Sequence, residues 1–355
     1  MEMSKMSLKK YAISIIGYGG MGSYHVKLLN KMDRFNISGI YDIAEERQKV
    51  AQKNGLHVYK SLNDVLTDQD VDIVLIATPN DSHKDIAVKS LQAGKHVICE
   101  KPVTLNSKEF QEILDAAEKY DKVFAVNQNR RWDEDFLVIK KLYDDNTLGE
   151  ITSIEQRIHG SRGIPGDWRH EKKYGGGMML DWGVHLLDRL TILVNEKITN
   201  VFCKLSYVLG HEVDDGFTMH LTFESGKTAI VEVGTNNYLS LPIWYMTGKK
   251  GSVVIDDWNM NGHVAKLTDP HDKEATPIEA GAGLTKTMAP RKENSVNKLP
   301  LPRIKSDVLE FYDNFLDTME GKAELFVKNH EVMRVMKLME AAFKSSELNQ
   351  VINFE

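Results

Sequence analysis

The sequence is poor in cysteine, with only Cys99 and Cys203 in 355 residues. Two thiols build neither a disulfide framework nor a zinc site, and both lie in apolar, strand-like runs where a buried thiol is the ordinary outcome. Long apolar runs are also lacking. The longest, Ile73 to Ala77, falls far short of the ~20 residues that span a bilayer, and residues 1–10 hold no apolar signal-peptide core, so a cytoplasmic protein without membrane contact is expected. There is no basic excess. Lysine and arginine number 45 against 51 acidic residues, a net charge of −6, which gives no electrostatic pull toward nucleic acid or anionic lipid. Internal repeats are missing, as is any second cluster of His, Cys and carboxylate groups at ligand spacing, so no metal is expected.

What is present is a globular composition, 42% hydrophobic and 27% charged, on a length suited to roughly two domains. Short apolar runs alternate with amphipathic stretches in the first part: strands at 12–16, 37–41, 71–77, 96–99 and 123–126, helices at 22–31, 44–54, 82–93 and 107–120. That alternation predicts a doubly wound, parallel α/β domain over 8–128. Beyond it the segments become longer and richer in β pattern, at 152–159, 199–209, 216–223, 228–233 and 252–255, around one apolar helix over 178–194. Val231 and Val233 flank Glu232, so one sheet face is buried and the other polar. Helices follow at 305–320 and 330–348. Residues 129–355 therefore read as an α+β domain on a large, mostly antiparallel sheet, with 281–302 as a long irregular loop.

The first strand runs into Gly17-Tyr18-Gly19-Gly20-Met21-Gly22, a G-x-G-x-x-G motif between strand and helix. Glycines permit the tight turn and let the backbone approach a pyrophosphate, which the amides of the next helix hold. A plain connecting turn is the alternative, but the second strand ends in Asp42, at the spacing where a carboxylate binds the adenosine ribose hydroxyls. Asp42 would repel a 2′-phosphate, so NAD is expected rather than NADP. Thr78-Pro79-Asn80 and, soon after, His83 end the next strand, where ligands bind in open α/β sheets; His83 reads equally as an ordinary residue of a first helical turn. Glu100-Lys101-Pro102 ends the fourth strand, and an ammonium there can hold a substrate hydroxyl and stabilise a developing alkoxide. Gly175 to Gly177 opens the apolar helix, in which Asp181 and His185 stand four apart among Leu180, Trp182, Val184 and Leu186. A buried structural Asp–His pair is the competing reading.

Taken in order, these motifs closely resemble the glucose-fructose oxidoreductase/inositol dehydrogenase (Gfo/Idh/MocA) family along essentially the whole chain. The resemblance implies a Rossmann-type first domain, a catalytic set of Lys101, Asp181 and His185, and dinucleotide contacts from Asn129 and the Trp168-Arg169 pair. Gln128 and Arg130 adjoin Asn129 and are alternatives to it. Arg162, His170 and Tyr174 suit the gripping of a polyhydroxylated ligand, an exposed loop being the alternative for each. The implied activity is NAD-dependent oxidation of a secondary alcohol of a sugar, glycoside or cyclitol, with His185 taking the proton and Asp181 orienting the imidazole. Two rivals are NAD-assisted glycoside cleavage by transient oxidation and elimination, and a dinucleotide-sensing regulator; a sensor needs no general base, which argues against the latter. A homodimer or homotetramer is expected, because the β-rich half needs a cover for its outer sheet face.

Overall fold

The computed structural model describes residues 9–269 and 275–355; residues 1–8, and with them most of the N-terminal stretch read above, lie outside the described part. The first sheet is wholly parallel. It comprises β1 (Tyr11–Ile16), β2 (Phe35–Tyr41), β3 (Ile73–Ile76), β4 (His96–Glu100) and β5 (Phe124–Asn127), in the order β2-β1-β3-β4-β5. Every residue of β3 is buried, because helices cover both faces of a parallel sheet. The connections are α1 (Gly20–Leu29), α2 (Glu45–Lys53), α3 (Leu62–Thr67), α4 (His83–Gln92) and α5 (Ser107–Lys119). The short α3, unexpected from periodicity, is capped by Ser61, whose hydroxyl accepts the Asp64 N–H at 3.1 Å. Since β1 lies between β2 and β3, the strand order reverses there and opens a crevice at the carboxyl ends of β1 and β3.

After α6 (Glu134–Asp144) comes a mixed sheet of nine strands, mostly antiparallel. Its strands are β6 (Ile151–His159), β7 (Ile198–Ser206), β8 (Gly216–Phe223), β9 (Thr228–Gly234), β10 (Trp244–Gly248), β11 (Gly251–Ile255) and β12 (Gly262–Leu267), with β15 (Val296–Pro300) and β16 (Ile352–Asn353) at its edges. Only β6 and β9 pair in parallel. The strands β13 (Ile278–Ala280) and β14 (Gly283–Thr285) form a separate hairpin, and β15 (Val296–Pro300) pairs with β12. The stretch 281–302 is thus not one irregular loop. An edge strand exposed on its face, as Val296–Pro300 is, needs no apolar alternation, so its pairing left no periodic mark in the sequence. The strand expected over 199–209 ends at Ser206, where Gly210 closes a turn by donating its N–H to the Tyr207 carbonyl at 3.1 Å.

The apolar helix begins not as an α-helix but as a π turn over Met179–Gly183, continued by α7 (Val184–Leu193). The C-terminal part holds α8 (Leu309–Met319), α9 (Asn329–Leu348) and the short β16 (Ile352–Asn353). The helix expected over 305–320 starts only at Leu309, whose N–H is accepted by Asp307 Oδ1 at 3.1 Å. While α9 packs on β7 and α7, α8 returns to the first sheet: the Tyr312 ring meets Phe35, and Arg34 pairs with Asp313 and Asp317. Among the described residues no helix is long and apolar enough to cross a membrane.

The start of the π turn is held by Asp214. Its Oδ2 accepts the Met179 N–H at 2.7 Å and its main-chain carbonyl accepts that of Met178 at 3.0 Å. Burial pushes the Asp214 carboxyl up to about 6. The folded state therefore keeps a proton that the unfolded chain has released, so stability falls as pH rises from about 4 to about 6. Asp214→Asn should remove this penalty: in urea denaturation it is expected to gain on the order of 2 kcal/mol over wild type at pH 7.5 and little at pH 4. An equal effect at both pH values would refute the charge argument.

Candidate active site

The crevice at the strand ends contains a cavity of about 620 Å³, lined by both halves of the chain. Gly17, at φ +90°, makes its floor possible: a Cβ there would lie 2.6 Å from the Ala77 carbonyl oxygen. One at Gly22 would lie 1.9 Å from the Gly17 carbonyl oxygen, so α1 packs hard against the turn. At Gly19 and Gly20, by contrast, a Cβ would meet nothing within 4 Å. That open space fronts the first turn of α1, whose N–H groups lack helical partners, and it fits the pyrophosphate of a dinucleotide.

Asp42 borders the same cavity, its Oδ2 accepting the Tyr18 N–H at 2.7 Å and its Oδ1 the Ala44 N–H at 2.8 Å. The carboxylate is thereby fixed against the glycine turn. Met21, Thr78, Pro79, Asn80, Glu100, Lys101, Trp168, Arg169 and Asp181 complete the expected residues along its walls. Arg47, on α2, also lines the cavity and was not foreseen; its signal was the position five residues after Asp42 in the first turns of the next helix.

Behind the wall, Glu100 is 4% exposed and holds the strand end in place. Its Oε1 accepts from Asn127 Nδ2 at 2.7 Å and from His25 Nε2 at 2.8 Å, while Tyr312 faces His25 Nδ1 at 2.6 Å. Burial works to raise the Glu100 carboxyl, but His25, Lys101 and Asn127 outweigh it and hold the group below the usual carboxylate range. Lys101 then extends from β4 toward the second half. Its Nζ donates to Asp181 Oδ1 at 3.1 Å and to the Asp181 main-chain oxygen at 3.0 Å. Arg169 Nε donates to Asp181 Oδ2 at 3.2 Å. Burial would raise Asp181, and these two cations hold it down.

The sequence spacing pointed to an Asp181–His185 pair, which is not formed. Asp181 lies in the π turn and faces Lys101 and Arg169, whereas His185 lies in α7, behind the cavity lining, with its Nδ1 buried and unpartnered. The Asp181 carboxylate therefore positions the Lys101 ammonium, not the imidazole. Burial, joined by the charges of Lys101, Arg130 and Arg189, keeps the His185 pKa well below its ordinary value, so the ring is neutral. The Trp182 ring sits edge-on to it at 5.9 Å.

Other expected residues fall elsewhere. His83 is fully buried and sits between the Thr78 and Pro102 carbonyls, bracing the wall rather than reaching the cavity. Tyr18 is buried as well, its hydroxyl accepting from Asn54 at 3.1 Å. Arg162 is exposed on a bend, His170 stacks on His211 and bonds the Ile164 carbonyl, and Tyr174 lies under Lys173, so none of the three borders the cavity. Asn129 Oδ1 and both side-chain polar atoms of Gln128 are buried without partners at the end of β5. Neither residue is among those lining the cavity, so the expected dinucleotide contact from Asn129 is not formed by its wall.

Comparison with known proteins identifies the family of the fold. Residues 11–128 match the family described as oxidoreductase family, NAD-binding Rossmann fold, and residues 136–254 match the GFO/IDH/MocA C-terminal domain. The chain is 28% identical over 351 residues to scyllo-inositol 2-dehydrogenase (NADP(+)) of Bacillus subtilis, covering 97% of this chain and 96% of that protein. It is 26% identical over 227 residues to myo-inositol 2-dehydrogenase of Thermotoga maritima, covering 62% and 67%. A crystal structure of an NAD-binding protein from Listeria innocua superposes with a TM-score of 0.95 at 51% identity, covering 98% of this chain and 100% of that one. With both halves matched in their expected order, the chain belongs to the Gfo/Idh/MocA family of oxidoreductases, built on an NAD-binding fold.

Proposed function

We propose that this chain is an NAD-dependent dehydrogenase acting on a secondary alcohol of a sugar, glycoside or cyclitol. The observation that carries this reading is the meeting of the glycine turn, the Lys101 ammonium and the Asp181 carboxylate on one cavity, with a neutral, unpartnered imidazole nearby. The two inositol dehydrogenases among its relatives support the substrate class.

Gly19, Gly20 and Asp42 would hold the adenosine side of the cofactor, and Trp168 and Arg169 the other side. When bound, a nicotinamide supplies the hydride acceptor. The rest falls to the protein. Lys101 Nζ donates to the substrate hydroxyl oxygen and stabilises the negative charge that develops there, while Asp181 keeps that ammonium in place. His185, being neutral, has a lone pair with which to take the hydroxyl proton.

Asp42 favours NAD, since a 2′-phosphate would approach a fixed carboxylate. Arg47 pulls the other way, and the Bacillus relative is an NADP enzyme. Hydrogen-bonded at the ribose position, Asp42 is the stronger determinant in our reading.

Three measurements test these roles. NADH absorbance with a panel of cyclitols, hexoses and glycosides identifies substrates; on the best one His185→Ala and Lys101→Ala should lower kcat by ~10²–10⁴-fold with NAD affinity by fluorescence nearly intact. Wild-type turnover in His185→Ala, or loss of NAD binding as the sole defect, would sink the catalytic assignment. The acidic limb of kcat/KM should fall below pH 6.5, because protonating His185 removes its lone pair and its pKa is lowered; a limb above that value contradicts the role. Asp42→Ala should shift the kcat/KM ratio toward NADP, and equal use of both cofactors by wild type would overturn the NAD preference.

A further inference from the structure

Beyond the nucleotide cavity, a second hollow of about 390 Å³ opens beside the catalytic segment, lined by Arg130, Asp133, Glu134, Asp135, Trp258, Met260 and Ser306. One indole separates it from His185. Trp182 stands edge-on to the His185 ring at 5.9 Å, and Trp258 stacks on Trp182 at 6.1 Å with an interplanar angle of 21°. The Arg130 guanidinium lies 4.3 Å over the Trp182 ring, so cation and indoles form one continuous wall.

Trp258 is 60% exposed, yet it is not on a loose loop. The turn between β11 and β12 is bonded within itself: Asp257 Oδ1 accepts the Asn259 N–H at 2.9 Å, Asp257 Oδ2 accepts from Asn261 Nδ2 at 2.7 Å, and the Asp256 N–H donates to the Asn261 carbonyl at 2.8 Å. Met260 anchors the turn by burying its side chain. A large indole held out rigidly at the rim of a hollow is a platform for a ligand face.

The polar groups around it define that ligand. Arg130 is paired with Asp133, Glu134 with Arg303, and Asp135 with Arg189 and the Trp244 indole N–H, so the hollow offers no unpaired charge to select a cation or an anion. It does offer hydrogen-bonding capacity. Arg130 Nε is buried without a partner, so a hydroxyl oxygen would supply its acceptor, and burial raises the Asp133 carboxyl, which accepts from Arg130 through Oδ2. An apolar ring face below and carboxylate oxygens at the edge suit the C–H face and equatorial hydroxyls of a neutral sugar ring.

The geometry points to a subsite for a second polyhydroxylated ring, seated on Trp258 beside the Arg130–Asp133 pair, so that the substrate is a glycoside of at least two rings and not a free cyclitol. This rests on the dehydrogenase reading for the ring that reacts at Lys101 and His185. Two centroid steps by way of Trp182, 5.9 and 6.1 Å, link the His185 and Trp258 rings, so their separation does not exceed the two steps together, within the length of a two-ring ligand.

The experiment compares kcat/KM by NADH absorbance for the full-length protein with NAD, offering glucose and myo-inositol beside maltose, cellobiose and other disaccharides. The ratio for two-ring over one-ring substrates should be high in wild type and fall by about tenfold in Trp258→Ala, with Trp258→Phe restoring part of it. Equal losses on both classes, or an unchanged ratio, would overturn the subsite. If no sugar reduces NAD, it is the dehydrogenase reading that fails, and tryptophan fluorescence then decides the subsite alone. Saturable quenching by a disaccharide that is lost in Trp258→Ala supports it; absence of quenching by every disaccharide overturns it.

Discussion

One ammonium joins the two halves of the site. Lys101 leaves the parallel sheet at the end of β4 and reaches Asp181 in the second half, where Arg169 binds the other carboxylate oxygen. A carboxylate removed from water is costly unless paired, so Asp181 ties the lysine loop, the 167–169 segment and the π turn to one another. Glu100 does the same one residue earlier on the other side of the wall, joining His25 of α1 to Asn127 of β5, and the Tyr312 contact from α8 closes the set. The position of the lysine thus depends on α1, α8, β5, the π turn and the 167–169 segment, all remote from it in sequence.

What could be read from the chain follows the range of the forces involved. The glycine turn was legible because its constraint is local: the Cβ of any other residue at Gly17 or Gly22 would meet main chain within the same crevice. The apolar run of β3 was legible because a strand covered on both faces has no polar side to disguise it. The partners of Asp181 were not, since Lys101 lies 80 positions away and the i, i+4 spacing offered His185 instead. Likewise Tyr312 meets His25 across 287 positions, and nothing near either residue announces the other.

Position at a strand end proved a weaker guide than contact with the crevice. Thr78 and His83 both follow β3, yet Thr78 borders the cavity while His83 turns inward and sits between two carbonyls that shape it, donating its one N–H to one of them. Arg162, His170 and Tyr174 have polar chemistry suited to a polyhydroxylated ligand but face other partners, whereas Arg130 and Trp258 both pack on Trp182. Side-chain type narrows the candidates; the packing of α6, α7 and the β11–β12 turn selects among them.

The π turn at Met179–Gly183 bears on how this helix can be exchanged or redesigned. Such a turn holds more residues than an α-helical one and occurs mostly as a single widened turn inside a helix. Deleting one residue to regularise it would rotate either the carboxylate side or the imidazole side of the segment out of register, since Asp181 lies within the widened turn and His185 beyond it. Grafting from a relative therefore has to preserve the residue count from Gly177 to His185 before it preserves any side chain, and an alignment gap placed there changes the relative orientation of Asp181 and His185 even where both letters are kept.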